Sequence, residues 1–298
     1  TDDVRAACDV FRPVYAATNG GDGYVSIEVS PGAADDAEDT VQEAHRLWRT
    51  VDRPNVMIKV PGTAAGCVAL RRLIADGINV NVTLLFARAA YADVVEAYLA
   101  GLEDRAAAGG ALGGIASVAS FFVSRVDTEV DARLEKIGTP AALALRGRAA
   151  VANAQLAYAL FRERFSGARW GALAARGARV QRPLWASTGT KNPAYSDVKY
   201  VEALIGPDTV NTLPPATLEA FRDHGTVART VDRDVAAARD ALDAVEALGI
   251  SMKAVTDKLL AEGIDAFQKS FDALLTGIEG KMAVVGRGAP ASRTSTGS

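Results

Sequence analysis

Cysteine and histidine are scarce in this chain of 298 residues, which contains two of each. Cys8 and Cys67 cannot cross-link a chain of this length, so we expect a reducing, cytoplasmic environment. His45 and His224 lie alone in predicted helices and follow no strand, so both are interpreted as structural or solvated. No cluster of His, Cys and Asp has the spacing of metal ligands, so the sequence predicts no metal site.

Several functional classes are excluded by other missing features. Lys+Arg number 33 and Asp+Glu 36, and no basic block stands out, so nothing indicates a nucleic-acid partner. No apolar run reaches the roughly 18 residues of a membrane span. The glycine-rich loops of nucleotide sites and the G-x-S-x-G elbow are also absent. Hydrophobic residues make up 49% of the chain, which excludes a disordered protein.

Short apolar runs alternate with helical stretches. This order predicts a parallel sheet with helical crossovers. Six strands can form an open doubly wound sheet or part of a (β/α)8 barrel, and the pattern alone leaves both open. The predicted strands are 24–31, 56–61, 78–86, 115–125, 182–188 and 209–214. The predicted helices are 1–11, 36–50, 63–75, 88–107, 141–165, 198–204, 216–224, 232–248 and 252–278.

Polar residues near the carboxyl ends of four predicted strands are the main anomaly, because a buried polar group costs free energy unless it is paired or used. The carboxyl ends of parallel barrel strands open on one face, where active sites form. We therefore expect a site there. The residues are Glu28, Lys59, Asn81, Thr83, Ser120 and Arg125.

Lys59 is the most informative of these residues, because it lies in the apolar run VMIKVP. It is either a snorkelling or ion-paired lysine or a Schiff-base amine. Desolvation can lower the pKa of a lysine from about 10.4 to about 7–8, which makes the neutral amine available. Glu28 is either a proton shuttle or the ion-pair partner of Lys59 or Arg125.

The remaining candidates are also open to two interpretations. Asn81 and Thr83 alternate along one strand and share a face, but threonine is also an ordinary strand residue. Arg125 is suited to bind a phosphate or is simply a surface residue. Lys191 and Asn192 follow the fifth strand in a loop that either holds phosphate or forms a plain turn with a helix cap.

Five motifs resemble the transaldolase family, in its order and spacing, to about residue 280. They are SIEVSP, VMIKVPGT, GINVNVTLLF, SVASFFVSRVDTEVD and RPLWASTGTKNPAYSDVKYVEALIGPDTVNTLP. The likeness is closest to the longer, actinobacterial-type branch. It implies a (β/α)8 TIM-type barrel over residues 1–284, before a disordered tail at 285–298. It also implies cofactor-free Schiff-base transfer of a dihydroxyacetone unit in the non-oxidative pentose phosphate pathway. The donor would be sedoheptulose 7-phosphate or fructose 6-phosphate, and the acceptor glyceraldehyde 3-phosphate or erythrose 4-phosphate.

The resemblance also implies residue roles. Lys59 matches the Schiff-base lysine, Glu28 the glutamate that moves protons through a water, and Thr83 the threonine that holds this water. Asn81 matches an asparagine that contacts the substrate. Ser120 and Arg125 match the substrate- and phosphate-contacting pair of S-x-F-V-x-R.

Differences within the family favour transfer over aldol cleavage. Phe122 occupies a position where related fructose-6-phosphate aldolases have tyrosine, and Glu28 occupies one where they have glutamine.

The second phosphate ligand of the family is not matched in this chain. Many members have a second phosphate-binding arginine where this chain has Val210 and Asn211. Lys191 is the candidate replacement.

Two strands that the family places first have no match before Tyr24, nor do their catalytic aspartate and T-[ST]-N-P motif. We therefore expect a chain that lacks an N-terminal piece of the barrel. The alternatives to a transaldolase are a fructose-6-phosphate aldolase-like lyase and a catalytically impaired sugar-phosphate-binding barrel. The expected partners are sugar phosphates, with no nucleic acid or membrane, and the protein is expected to be a monomer or homodimer.

Overall fold

The computed structural model describes residues 1–287, with side chains through residue 282. Six parallel strands form one sheet, and their spatial order is their order along the chain. All six predicted strands are confirmed, although every strand except the second is shorter than expected. The strands are β1 (Val25–Glu28), β2 (Val56–Pro61), β3 (Val80–Leu85), β4 (Ser117–Phe122), β5 (Arg182–Ala186) and β6 (Val210–Asn211).

Helices connect the strands, as expected for a parallel sheet. The α/β class with a barrel-type sheet is confirmed, and β1 and β6 each pair with one neighbour in the described part of the chain. A 3₁₀ turn covers Pro31–Ala33. The helices are α1 (Asp2–Ala17), α2 (Ala37–Val51), α3 (Ala64–Asp76), α4 (Arg88–Ala107), α5 (Ser124–Ile137), α6 (Pro140–Leu143), α7 (Ala149–Arg164), α8 (Gly167–Ala174), α9 (Lys199–Glu202), α10 (Pro215–His224), α11 (Val235–Ala247) and α12 (Met252–Arg287).

The predicted helix 141–165 is wrong, because the chain breaks between α6 and α7. Gly147 lies in this break with φ +71°, a left-handed conformation that an α-helix cannot contain. Its N–H donates to Asp131 Oδ1 at 2.8 Å, which fixes the break against α5. Helices α5 and α8 are absent from the sequence-based prediction. Arg125, predicted at the end of a strand, instead lies in the first turn of α5.

The sheet is curled, because the amino ends of β1 and β5 approach each other. Arg179, just before β5, donates to the carbonyl oxygens of Gly20 and Asn19 at 2.5 and 2.7 Å. Arg182 of β5 donates to the Gly21 carbonyl at 2.9 Å. Segment 19–21 lies a few residues before β1, so these contacts link the amino ends of strands that are not neighbours in the sheet. The concave face therefore encloses a cavity.

Helix α12 lies over the carboxyl side of the sheet, where it contacts the 3₁₀ turn, β3 and α5. It continues through the first three residues of the predicted tail, and residues 288–298 lie outside the described residues. None of the described helices has both the length and the apolar character needed to cross a bilayer.

Candidate active site

Three of the predicted site residues lie side by side across β1, β2 and β3. The parallel register pairs Glu28 with Lys59, and Lys59 with Asn81. Thr83 follows on the same face of β3, opposite Pro61. All four side chains line one cavity of ≈ 1060 Å³ inside the curled sheet, together with Ser120 and Phe122 from β4.

Lys59 and Glu28 form a partly buried ion pair at the carboxyl ends of their strands. Lys59 Nζ lies 3.3 Å from Glu28 Oε2, and the two side chains retain 23% and 26% of their exposure. Burial raises the pKa of Glu28, because loss of water disfavours the carboxylate more than the nearby Lys59 ammonium favours it. The pair therefore combines an amine with a carboxyl group that is predisposed to hold a proton.

Asn81 is held by hydrogen bonds on both sides of its amide. Its Nδ2 donates to Ser26 Oγ at 3.0 Å, and its Oδ1 accepts from Ser120 Oγ at 2.7 Å. These two contacts orient the amide, with its Nδ2 toward β1 and its Oδ1 toward β4. Sequence reasoning missed Ser26, although its position two residues before Glu28 places it on the same strand face.

Thr83 presents a buried hydroxyl that has no hydrogen-bond partner among the described residues. Its side chain is fully buried and lines the cavity. Buried hydroxyl groups are normally satisfied by protein or by ordered water. The Thr83 oxygen is therefore suited to hold a water molecule or a substrate hydroxyl in the cavity.

Arg125 and Lys191 do not line the cavity itself, but Arg125 adjoins it through Phe122. The Arg125 guanidinium carbon lies 5.2 Å from the Phe122 ring centroid, and its Nε is buried without a partner among the described residues. Burial, followed by the positive charge of Arg125, lowers the pKa of Lys191. Neither residue has an ion pair to a described carboxylate. Arg125 lies in the first turn of α5 and Lys191 in the loop after β5. Two cations without acidic partners among the described residues are suited to bind an anion.

The other sequence candidates have structural roles. Asn192 Oδ1 accepts from the Ala194 N–H at 2.9 Å, as a turn residue does. His45 and His224 pair with Asp76 and Asp197 on the protein surface, which agrees with the prediction that both histidines are structural or solvated. Asn211 Oδ1 accepts from the Thr188 hydroxyl at 2.8 Å. Within the described residues no group of three or more His, Cys, Asp or Glu could hold a metal.

A curled parallel sheet with a lysine–glutamate pair at its strand ends defines an enzyme of the α/β-barrel type. The sequence model described as "Transaldolase/Fructose-6-phosphate aldolase" matches residues 1–278. The chain belongs to this family, whose transaldolases transfer aldehyde or ketone groups, and the expected resemblance is confirmed.

Curated relatives are similar over nearly the whole chain. The transaldolase of Thermobifida fusca is 56% identical over 282 residues, which cover 94% of this chain and 77% of the relative. That of Mycolicibacterium smegmatis is 53% identical over 283 residues, covering 95% and 76%. Transaldolase 1 of Streptomyces avermitilis is 55% identical over 286 residues, covering 94% and 76%. These similarities support transaldolase function for this chain.

Proposed function

We propose that this chain transfers a dihydroxyacetone unit from a ketose phosphate to an aldose phosphate, with Lys59 as the Schiff-base nucleophile. The observation that carries the proposal is the contact of Lys59 Nζ with Glu28 Oε2 inside a cavity. The donor and acceptor sugars expected from the family resemblance are part of the proposal. A cytoplasmic location and a monomeric or homodimeric state stay predictions.

The first half of the reaction forms and then uses an iminium. Neutral Lys59 attacks the ketose carbonyl, and loss of water gives the C=N bond. The C3–C4 bond then breaks, its electron pair moves toward the iminium nitrogen, and an enamine forms. The proton of the C4 hydroxyl passes to Glu28 through a water held by Thr83, and the shortened aldose leaves. A carboxyl group of raised pKa suits this exchange of protons.

The second half reverses these steps on the acceptor. The enamine carbon attacks the aldehyde of the incoming aldose, and Glu28 returns the proton to the new hydroxyl through the same water. Hydrolysis of the iminium then releases the product ketose. Asn81 and Ser120 are proposed to hold substrate hydroxyls, and Phe122 to keep an apolar wall beside them.

A covalent trapping experiment tests the nucleophile. Without an acceptor, the three-carbon enamine left after C3–C4 cleavage takes up a proton at carbon and returns to its iminium form. Borohydride added with fructose 6-phosphate is expected to reduce that C=N bond and leave the three-carbon unit on Lys59, as identified by peptide mass spectrometry. The proposal would be contradicted if the three-carbon label were found on a different lysine, or if the folded protein carried no label. Free dihydroxyacetone released without an acceptor would instead favour the aldolase-like alternative.

A second prediction concerns the substrate phosphate. Arg125→Met is expected to lower kcat/KM for fructose 6-phosphate by about 10- to 100-fold, because a charge-assisted hydrogen bond contributes about 1.5–3 kcal/mol. Turnover of unphosphorylated fructose should change little. Lys191→Met is expected to have a smaller effect of the same kind, because Lys191 is more exposed. The measurement is steady-state kinetics with both sugars.

Arg133→Met is the matched control for this prediction. Arg133 lies on the same helix, α5, but is paired with Glu129. The Arg133→Met variant should have the same preference for the phosphorylated sugar as the wild type. Equal losses for both sugars in Arg125→Met would show that Arg125 does not bind the phosphate.

A further inference from the structure

We propose that Phe267 of α12 stabilises the iminium on Lys59 through the face of its aromatic ring. This inference rests on the proposed function. The Phe267 ring centroid lies 5.1 Å from Lys59 Nζ, within the range of about 6 Å for a cation–π contact. The same nitrogen contacts Glu28 at 3.3 Å. The amine therefore lies against a carboxylate from β1 and a ring from a helix more than 200 residues further along the chain.

The position of Phe267 follows from how α12 packs on the sheet. Leu260, Ile264 and Phe267 form one helical stripe against the core. Between them, Gly263 brings the helix backbone close to Leu84, since an added Cβ would lie 2.9 Å from Leu84 Cδ2. The lack of a side chain at residue 263 therefore permits the close approach that places the ring over Lys59.

An irregularity in β3 supplies the surface on which α12 rests. The register of β3 shifts between Val82 and Leu85, and Leu84 there has φ +60°. Such bulges redirect side chains at the ends of strands. Here Thr83 lines the cavity while Leu84 contacts α12. The irregularity in β3 thus directs Thr83 into the cavity and Leu84 toward α12.

The Phe267 ring can stabilise the positive charge that forms on the Lys59 nitrogen during the reaction. The iminium is a cation centred on the atom that the ring already faces. An aromatic face attracts the cation and has no proton to give or take, so it does not compete with Glu28.

Plain apolar packing is the competing explanation, and substitutions at residue 267 separate the two. Phe267→Leu keeps an apolar side chain but removes the aromatic face, whereas Phe267→Trp keeps the face. Leu260→Ala is the matched control, because Leu260 belongs to the same stripe but is not part of the proposed machinery. It loosens the packing of α12 without removing the ring.

The experiment is borohydride trapping of each variant at equilibrium with fructose 6-phosphate. The fraction labelled at Lys59 should fall about fivefold in Phe267→Leu, which corresponds to about 1 kcal/mol at about 1.4 kcal/mol per tenfold change. It should stay near the wild-type value in Phe267→Trp and Leu260→Ala. Progressively fluorinated phenylalanine at position 267 keeps the shape of the ring but weakens its negative face, so labelling should decline stepwise.

The outcomes distinguish this inference from the one on which it rests. An unlabelled wild-type protein would overturn both. A labelled wild-type protein, with equal labelling in Phe267→Leu and throughout the fluorinated series, would overturn the role of Phe267 alone. The fluorinated series decides the question even where Phe267→Leu folds poorly, because the ring and its packing are retained.

Discussion

Lys59→Arg is expected to abolish covalent trapping and to lower the rate of group transfer by on the order of 10⁴-fold or more. Arginine keeps a positive charge beside Glu28, so the buried carboxylate does not lose its partner. The guanidinium group stays protonated under all ordinary conditions and cannot attack a carbonyl. The variant thus separates the charge of Lys59 from its nucleophilicity. Initial rates of transfer and the labelled fraction after borohydride are the measurements.

A surface lysine provides the control for this substitution. Lys253 lies on α12 and pairs only with Asp257 among the described residues, so Lys253→Arg makes the same chemical change away from the cavity. It should retain wild-type transfer and trapping. Residual transfer above about a hundredth of the wild-type rate in Lys59→Arg, or trapping at another lysine, would show that Lys59 is not the nucleophile.

The sheet could be predicted from the sequence because its strands are buried on both faces. In β2 the flanking Ile58 and Val60 are fully buried, and such continuous apolar runs are a strong local signal. A polar residue inside such a run is conspicuous, so the sequence alone indicates Lys59. Parallel order then implied that the strand ends share a face, and the structure brings Glu28, Lys59 and Asn81 together there.

Features that depend on distant parts of the chain could not be predicted in this way. The apolar run continues to Val123 and so places Arg125 in the predicted strand, because the turn into α5 leaves no local mark. Phe267 looks like any core-facing helix residue, since only the tertiary fold shows which atom its ring contacts. The break at Gly147 is set by Asp131, sixteen residues earlier.

The position of α12 on the sheet could not be predicted from the residue types of the helix alone. Its periodic pattern predicts a packed face but not the strand on which that face rests. That choice depends on Gly263 meeting Leu84, a contact between segments far apart in the sequence.

Glu28→Gln is expected to lower the transfer rate by about 10²- to 10⁴-fold, the usual range for a general acid–base group. Glutamine preserves the shape of the side chain but cannot carry the proton between the C4 hydroxyl and water. Because burial raises the pKa of Glu28, the acidic limb of the wild-type kcat/KM profile should lie above the ordinary glutamate value of 4.5. That limb should be absent in Glu28→Gln, as measured by rates across pH.

The same pKa shift predicts an effect on stability. A carboxyl group with a raised pKa binds its proton more tightly in the folded than in the unfolded protein, so its ionisation destabilises the fold. The unfolding free energy of the wild type should therefore fall relative to Glu28→Gln as pH rises from the ordinary value of 4.5 through the raised pKa. Denaturant titrations at several pH values measure this difference.

Glu43→Gln is the control for both measurements, because Glu43 is partly buried and accepts a hydrogen bond from the Ser30 N–H but lies outside the cavity. It should leave the acidic limb of the rate profile in place. A role for Glu28 in ion pairing alone predicts that Glu28→Gln changes stability but keeps this limb. A proton-transfer role predicts that Glu28→Gln changes the stability and also removes the acidic limb. A Glu28→Gln variant that keeps the acidic limb would therefore refute the role of Glu28 in catalysis.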